Sequence, residues 1–125
     1  MASQVRVFKF YTEVPLSESL KLFISPNENV AFAVKTIRDI AVFTDKRILI
    51  ADKQGLISSK TEYYTIPYKN IVTYSVETAG TFDLDSEIKL VLSGGIYIEL
   101  KFLKGKNMNQ LLQKVYHLIN SFMIG

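Results

Sequence analysis

The chain has 125 residues, 48% hydrophobic and 22% charged, which excludes a disordered polymer and leaves enough material for one domain with its own core. It contains no cysteine, so disulfides and thiolate metal sites are excluded and a reducing compartment is the easier home. Its net charge of +3 comes from basic and acidic residues interleaved along the chain, whereas a nucleic-acid binder gathers its Lys and Arg on one stripe; no nucleic-acid partner is expected.

The first ten residues carry no sustained apolar run and no small-residue cleavage site, so they do not read as a signal peptide. No apolar run approaches bilayer-spanning length. Together these features predict a soluble, cytoplasmic protein. Val5 to Tyr11 mixes aromatic and basic residues and reads as a strand or an ordered arm. Leu16, Leu20, Phe23 and Ile24 then fall at helical spacing, with Pro15 where a first helical turn tolerates proline. Ser25-Pro26 ends that helix, because a residue before proline avoids the helical region. Residues 1–28 are therefore expected to form an N-terminal arm with a short helix, and residues 29–123 the domain proper.

Strands follow in quick succession. Val30, Phe32 and Val34 alternate with Ala31, Ala33 and Lys35, and a tight corner is expected near Arg38-Asp39. Ile40 to Phe43 and Ile48 to Ala51 then form a hairpin around the polar Thr44-Asp45-Lys46-Arg47. Both of its strands are apolar at almost every position. Successive strand residues face opposite sides, so this hairpin must be covered on both faces. Glu62 to Tyr68 is a Tyr- and Thr-rich strand whose Pro67 predicts a strand end or a sheet edge. Ile71 to Thr78 alternates again and is broken by Ala79-Gly80.

The next pair of strands has a predictable register. With a three-residue loop Ser93-Gly94-Gly95, Leu92 faces Ile96, Leu90 faces Ile98 and Ile88 faces Leu100. The other face then pairs Val91 with Tyr97, Lys89 with Glu99 and Glu87 with Lys101. A two-residue Gly-Gly loop would set Leu90 against Glu99, spoiling both faces at once. After the strands, Asn107 with Gln110 three residues on resembles a capping box. Met108, Leu111, Leu112, Val115, Leu118, Ile119 and Phe122 make one apolar stripe on the helix that follows. The predicted class is mainly β: a seven-stranded antiparallel barrel or bent sandwich capped by a C-terminal helix, with a short N-terminal helix.

Three segments support a more specific reading. Phe43-Thr-Asp-Lys-Arg-Ile-Leu-Ile50 with Asp52-Lys-Gln-Gly55, Ile66-Pro-Tyr-Lys-Asn-Ile71 and Ser75-Val-Glu-Thr-Ala-Gly-Thr-Phe-Asp-Leu-Asp-Ser-Glu-Ile88 resemble the bacterial pleckstrin homology (PH) domain family, in the expected order and over roughly Asn29 to Ile119. The resemblance implies a PH-type barrel closed by a helix, no enzymatic activity, small cytoplasmic members that assemble into rings, and no settled ligand. Fold alone does not carry function.

No residue pattern supports catalysis. His117 is the only histidine and falls on the polar side of the last helix, so neither a catalytic base nor a zinc site is expected. Asp83, Asp85 and Glu87 alternate like half a calcium loop, but Ile88 stands where its glycine would be. Gly94-Gly95 lacks the lysine and helix of a phosphate loop. No metal and no cofactor are expected. Lys46, Arg47, Lys53, Lys60 and Lys69 are basic residues near turns; near the short first corner, only Lys35 and Arg38 could meet a lipid headgroup, and specific lipid binding is not expected from so few charges.

What remains is association. The doubly apolar hairpin has surplus surface; neighbouring copies could cover it, and a head-to-tail contact whose rotation closes would give a ring. The candidate interface is Leu49 with Phe82, Asp83, Leu84 and Asp85, where apolar side chains interleave with acids and suit a partner groove with a basic rim. Cover by the Leu16 to Ile24 helix of the same chain is the competing outcome. The expected function is a self-associating module that also offers a surface to a protein or peptide; the alternative is a peripheral phospholipid-binding module.

Overall fold

A computed structural model describes residues 4–53, 60–78, 85–103, 105 and 107–125. Among them are eight strands and two helices: β1 (Gln4–Val14), α1 (Glu18–Lys21), β2 (Val30–Thr36), β3 (Ile40–Thr44), β4 (Arg47–Lys53), β5 (Thr61–Pro67), β6 (Ile71–Glu77), β7 (Ser86–Leu92), β8 (Ile96–Phe102) and α2 (Met108–Met123), with a 3₁₀ turn at Tyr68–Asn70 between β5 and β6. They form one bent sheet in the order β5-β4-β3-β2-β1-β8-β7-β6. The sheet is open, and β1 runs parallel to β8 while every other pair is antiparallel. The class is the expected one, with two corrections: eight strands rather than seven, and a mixed sheet rather than an antiparallel barrel.

Both corrections come from β1. The segment read as an arm lies mid-sheet and joins its two halves. Gln4 to Phe10 pair with β8, and Phe10 to Val14 pair with β2. The register with β2 slips between Phe10 and Thr12, so Tyr11 is the extra residue of a bulge. Phe8 and Phe10 therefore enter the main core, while Val14 turns to the opposite face.

The β7–β8 register is the expected one at every position, with Leu90 opposite Ile98 and Lys89 opposite Glu99. Gly94 and Gly95 have φ of +85° and +79°, a conformation that favours glycine and explains the pair in this loop. Pro67 ends β5, which is also a sheet edge.

The core has two compartments. In the main one, Phe10 meets Phe43 and Phe102 edge-on, with ring centroids 5.8 and 5.3 Å apart. Met108, Leu111, Leu112, Val115 and Ile119 of α2 close this compartment. The helix begins otherwise than expected: Asn107 sits at φ +66° and its side chain makes no capping bond. The second compartment answers the question posed by the hairpin. Ala41, Phe43, Ile48 and Ile50 face the main core, whereas Val42, Leu49 and Ala51 face the other side. Leu20, only 1% exposed, covers them together with Leu16 and Ile24 of the same chain. The expected N-terminal helix is thereby shortened to one turn. Ser17 Oγ accepts from the Leu20 N–H at 3.3 Å to start it, and the chain turns away after Lys21.

Candidate binding groove

The turn between β3 and β4 and the loop after α1 meet in a buried polar knot. Arg47 opens β4 and points back over the turn, donating from Nε to Glu28 Oε2 at 2.8 Å and from Nη2 to Glu28 Oε1 at 3.0 Å. The same guanidinium donates to the Phe23 carbonyl at 2.6 Å and to Thr65 Oγ1 at 3.0 Å. The Thr44 hydroxyl donates to Glu28 Oε2 at 2.6 Å, and the Ser25 N–H donates to Oε1 at 3.1 Å. The Glu28 side chain is only 2% exposed. The hydrogen bonds from Arg47, helped by those from Thr44 and Ser25, outweigh burial and hold its carboxyl down at about 2. Asp45 caps the same loop by accepting from the Asn29 N–H at 2.9 Å.

One side of this knot walls a groove of about 660 Å³. Its other wall is the end of α2. Phe122 stacks on Tyr68 with ring centroids 4.8 Å apart and planes 8° from parallel, yet remains 41% exposed. Tyr68 is fixed from below, since its hydroxyl donates to the Thr44 carbonyl at 2.8 Å. Burial raises the Tyr68 phenol above its ordinary value, and the Asp45 and Glu28 carboxylates act in the same direction. Met123 and Pro67 extend the apolar floor, and Lys46 and Lys69 stand at the rim. Both lysines are exposed, and neither ammonium has an ion-pair partner among the described residues. Three cations against two carboxylates leave the lining one charge positive.

The residues singled out in the sequence are distributed differently. Of the basic turn residues, Lys46, Arg47 and Lys69 come together here. Lys35 and Arg38 do not join them. Arg38 Nη1 donates to the Lys53 carbonyl at 3.1 Å and lines a separate cleft with Lys9, Thr36 and Asp52. Leu49 is corrected as an interface residue: it is 1% exposed and lies in the compartment covered by Leu20. Phe82, Asp83 and Leu84 lie outside the described residues, and Asp85 is exposed just ahead of β7. His117 is exposed on α2. Among the described residues there is no group of His, Cys, Asp and Glu that could hold a metal ion, and no helix long and apolar enough to cross a membrane. No sequence pattern marks Glu28, Tyr68 and Phe122 as site residues, because their roles depend on contacts between segments far apart in the chain. The one local hint is the Ile66-Pro-Tyr-Lys turn, which sets an aromatic beside a base.

A bent sheet with a helix across its open end, and a groove between that helix and the strand turns, defines a PH-like module. The chain belongs to the bacterial PH domain family, whose model matches residues 2–122. That match includes β1. In solved structures, it is similar to a DUF1696 family protein with a pleckstrin-homology domain from Shewanella loihica (38% identity, 90% of this chain and 97% of that one, TM-score 0.77). It is also similar to a pleckstrin homology domain from Shewanella amazonensis (38% identity, 86% and 84%, TM-score 0.65). A Bacillus subtilis relative, the uncharacterized protein YjqA, is 52% identical over 79 residues, which is 63% of each chain. The chain thus covers less than two thirds of that relative's length.

Proposed function

We propose that this chain is a non-enzymatic assembly and interaction module of the cytoplasm, one that self-associates into a homo-oligomeric ring and presents a surface to a protein or peptide. The observation that carries the reading is the groove beside Phe122: an exposed apolar floor under two ammonium groups that have no ion-pair partner among the described residues, held open by a hydrogen-bonded frame. Its titratable groups suit binding better than chemistry. A carboxyl held at about 2 by Arg47 is a weak base at neutral pH, and the Tyr68 hydroxyl is committed to a backbone carbonyl. The second face of the hairpin is covered in the same chain, and self-association is supported instead by the outer face of β1 and β8. There Val5 and Tyr97 are direct neighbours at 56% and 41% exposure, with Val7 at 45% two residues on. The family resemblance drawn from the sequence implies members that assemble into rings, which favours the same outcome.

The test is the mass of the purified protein by light scattering at tens of micromolar. A multiple of 14.2 kDa is expected, and a particle of 14.2 kDa overturns the assembly reading. Co-sedimentation with anionic vesicles at low and physiological salt checks the phospholipid alternative. Sedimentation that persists at physiological salt would favour it.

A further inference from the structure

The groove beside Phe122 offers a ligand two unlike surfaces side by side. Tyr68 backs the Phe122 ring, with planes 8° apart, and 41% of Phe122 is left to solvent. Next to this platform stand Lys46 and Lys69, from two turns that touch: the Tyr68 N–H donates to the Lys46 carbonyl at 3.2 Å. Both lysines line the groove, and neither has an ion-pair partner among the described residues. The acids of the lining are already engaged. Glu28 accepts from Arg47, Thr44 and Ser25, and Asp45 accepts from the Asn29 N–H and Nδ2 at 2.9 and 3.2 Å. The complement of such a lining is an aromatic ring next to an anion. We infer that the groove is the docking site for an extended peptide segment of a partner protein in which an aromatic residue lies beside an aspartate or glutamate, its ring on the Phe122 platform and its carboxylate between Lys46 and Lys69. The inference rests on the protein- or peptide-binding reading proposed above and names the chemistry of its ligand.

The spacing within the ligand follows from the chain. Lys69 is the neighbour of Tyr68, and Lys46 is bonded to Tyr68, so platform and cations lie within a few ångströms of each other. An extended segment advances about 3.3 Å per residue, which sets its aromatic and its acid one or two positions apart. Aromatic pairs favour offset or edge-on contact, which an exposed ring permits, and an anion desolvated between two ammonium groups adds direction. The site is also held in place before a ligand arrives. The Tyr68 hydroxyl donates to the Thr44 carbonyl at 2.8 Å, and the Arg47–Glu28 pair fixes the opposite wall, so little ordering is left to oppose binding. A membrane fits less well. Phe122 lies flat on Tyr68 between two walls, so it receives a side chain rather than projecting as a wedge into lipid. A single nucleic-acid strand fits less well too, since a lining only one charge positive does not track a run of phosphates.

The experiment selects peptides from a random-peptide phage library on three proteins: wild type, Lys46→Glu/Lys69→Glu and Phe122→Ala. Thermal melting checks that the variants are folded. The lysines are exposed and outside both core compartments, so the lysine variant carries the test even if Phe122→Ala does not fold. Peptides selected on wild type should share an aromatic residue one or two positions from Asp or Glu. The lysine variant should lose the preference for the acid, and Phe122→Ala the preference for the ring. A labelled peptide of the wild-type consensus should bind the lysine variant about tenfold or more weakly than wild type, and wild type itself more weakly as salt rises. Failure to select any peptide, peptides without the shared pattern, or equal binding to the lysine variant overturns the inference. Light scattering of the same proteins separates this outcome from assembly. If wild type is a multiple of 14.2 kDa and the lysine variant falls towards 14.2 kDa, the groove is a contact between copies and the inference fails. If both keep the same multiple and no peptide is selected, the peptide site fails while self-association stands. Lysine-dependent sedimentation with phosphatidylserine vesicles, with no peptide selected, would assign the groove to a membrane surface and also overturn the inference.

Discussion

Arg47 holds Glu28 in a two-pronged grip, with Nε at 2.8 Å from one carboxylate oxygen and Nη2 at 3.0 Å from the other. The pair joins the first residue of β4 to the loop that follows α1, so it latches the cover of the second core compartment and walls the binding groove at once. Planar, bidentate geometry of this kind is available to Arg and not to Lys.

Glu28→Ala should therefore be costly. It removes a carboxylate that is 2% exposed and leaves a guanidinium 19% exposed without its main partner. Breaking one side of a buried pair costs about 3–5 kcal/mol, and the residual exposure of Arg47 places this case at the lower end. Urea denaturation should show a lower midpoint with a nearly unchanged slope. A midpoint within experimental error of wild type would mean that the latch contributes nothing net.

The same pair sets a pH dependence. Glu28 is held at about 2 in the folded protein, against an ordinary value of 4.5. A depressed carboxyl contributes stability that is fully present above its unfolded value and is lost as pH falls towards its folded one. Stability should thus decline between about pH 5 and pH 2, by on the order of 3 kcal/mol from this group. In Glu28→Gln the decline over that window should be shallower. Parallel acid-unfolding curves for the two proteins would show that other carboxylates carry the effect.

Local patterns foretold much of the fold. The β7–β8 register follows from Ile88, Leu90 and Leu92 meeting Ile96, Ile98 and Leu100, because any slip turns every side chain to the wrong face. The doubly apolar hairpin correctly demanded two covers, but the identity of the second was a tertiary matter. The Leu16 to Ile24 spacing looks helical, yet those residues are apolar because they pack on Val42 and Leu49, and one helical turn is enough to place Leu20 there. The parallel pairing of β1 with β8 joins opposite ends of the chain, which no short-range pattern encodes. Of the groove, Lys46, Arg47 and Lys69 were visible as turn residues. Their convergence on Phe122 required α2 to end against Tyr68.

Leu112→Asp should abolish cooperative folding. Leu112 is 4% exposed within the α2 stripe that closes the main compartment, and a carboxylate there would have no described partner. The variant should be insoluble, or soluble with far-ultraviolet circular dichroism but no sharp melting transition. A sharp, cooperative transition near that of wild type would show that α2 is dispensable for the core.

Leu20→Ala tests the smaller compartment separately from the larger one. Leu20 is 1% exposed and is the buried residue that α1 contributes to the second compartment, over Val42, Leu49 and Ala51. Truncating it removes apolar contacts and leaves a cavity, at a cost of about 2–5 kcal/mol depending on how far the cover collapses. The loss should be local as well as global. Amides of β3 and β4 should exchange faster, while those of β7 and β8, which lie under α2 in the other compartment, should change only by the global shift. Binding of a hydrophobic dye should rise as the Val42 and Leu49 face opens. If exchange in β7 and β8 quickened as much as in β3 and β4 beyond that shift, the two compartments would be one cooperative unit, and α1 would be an integral part of the core rather than a cover over one of its faces.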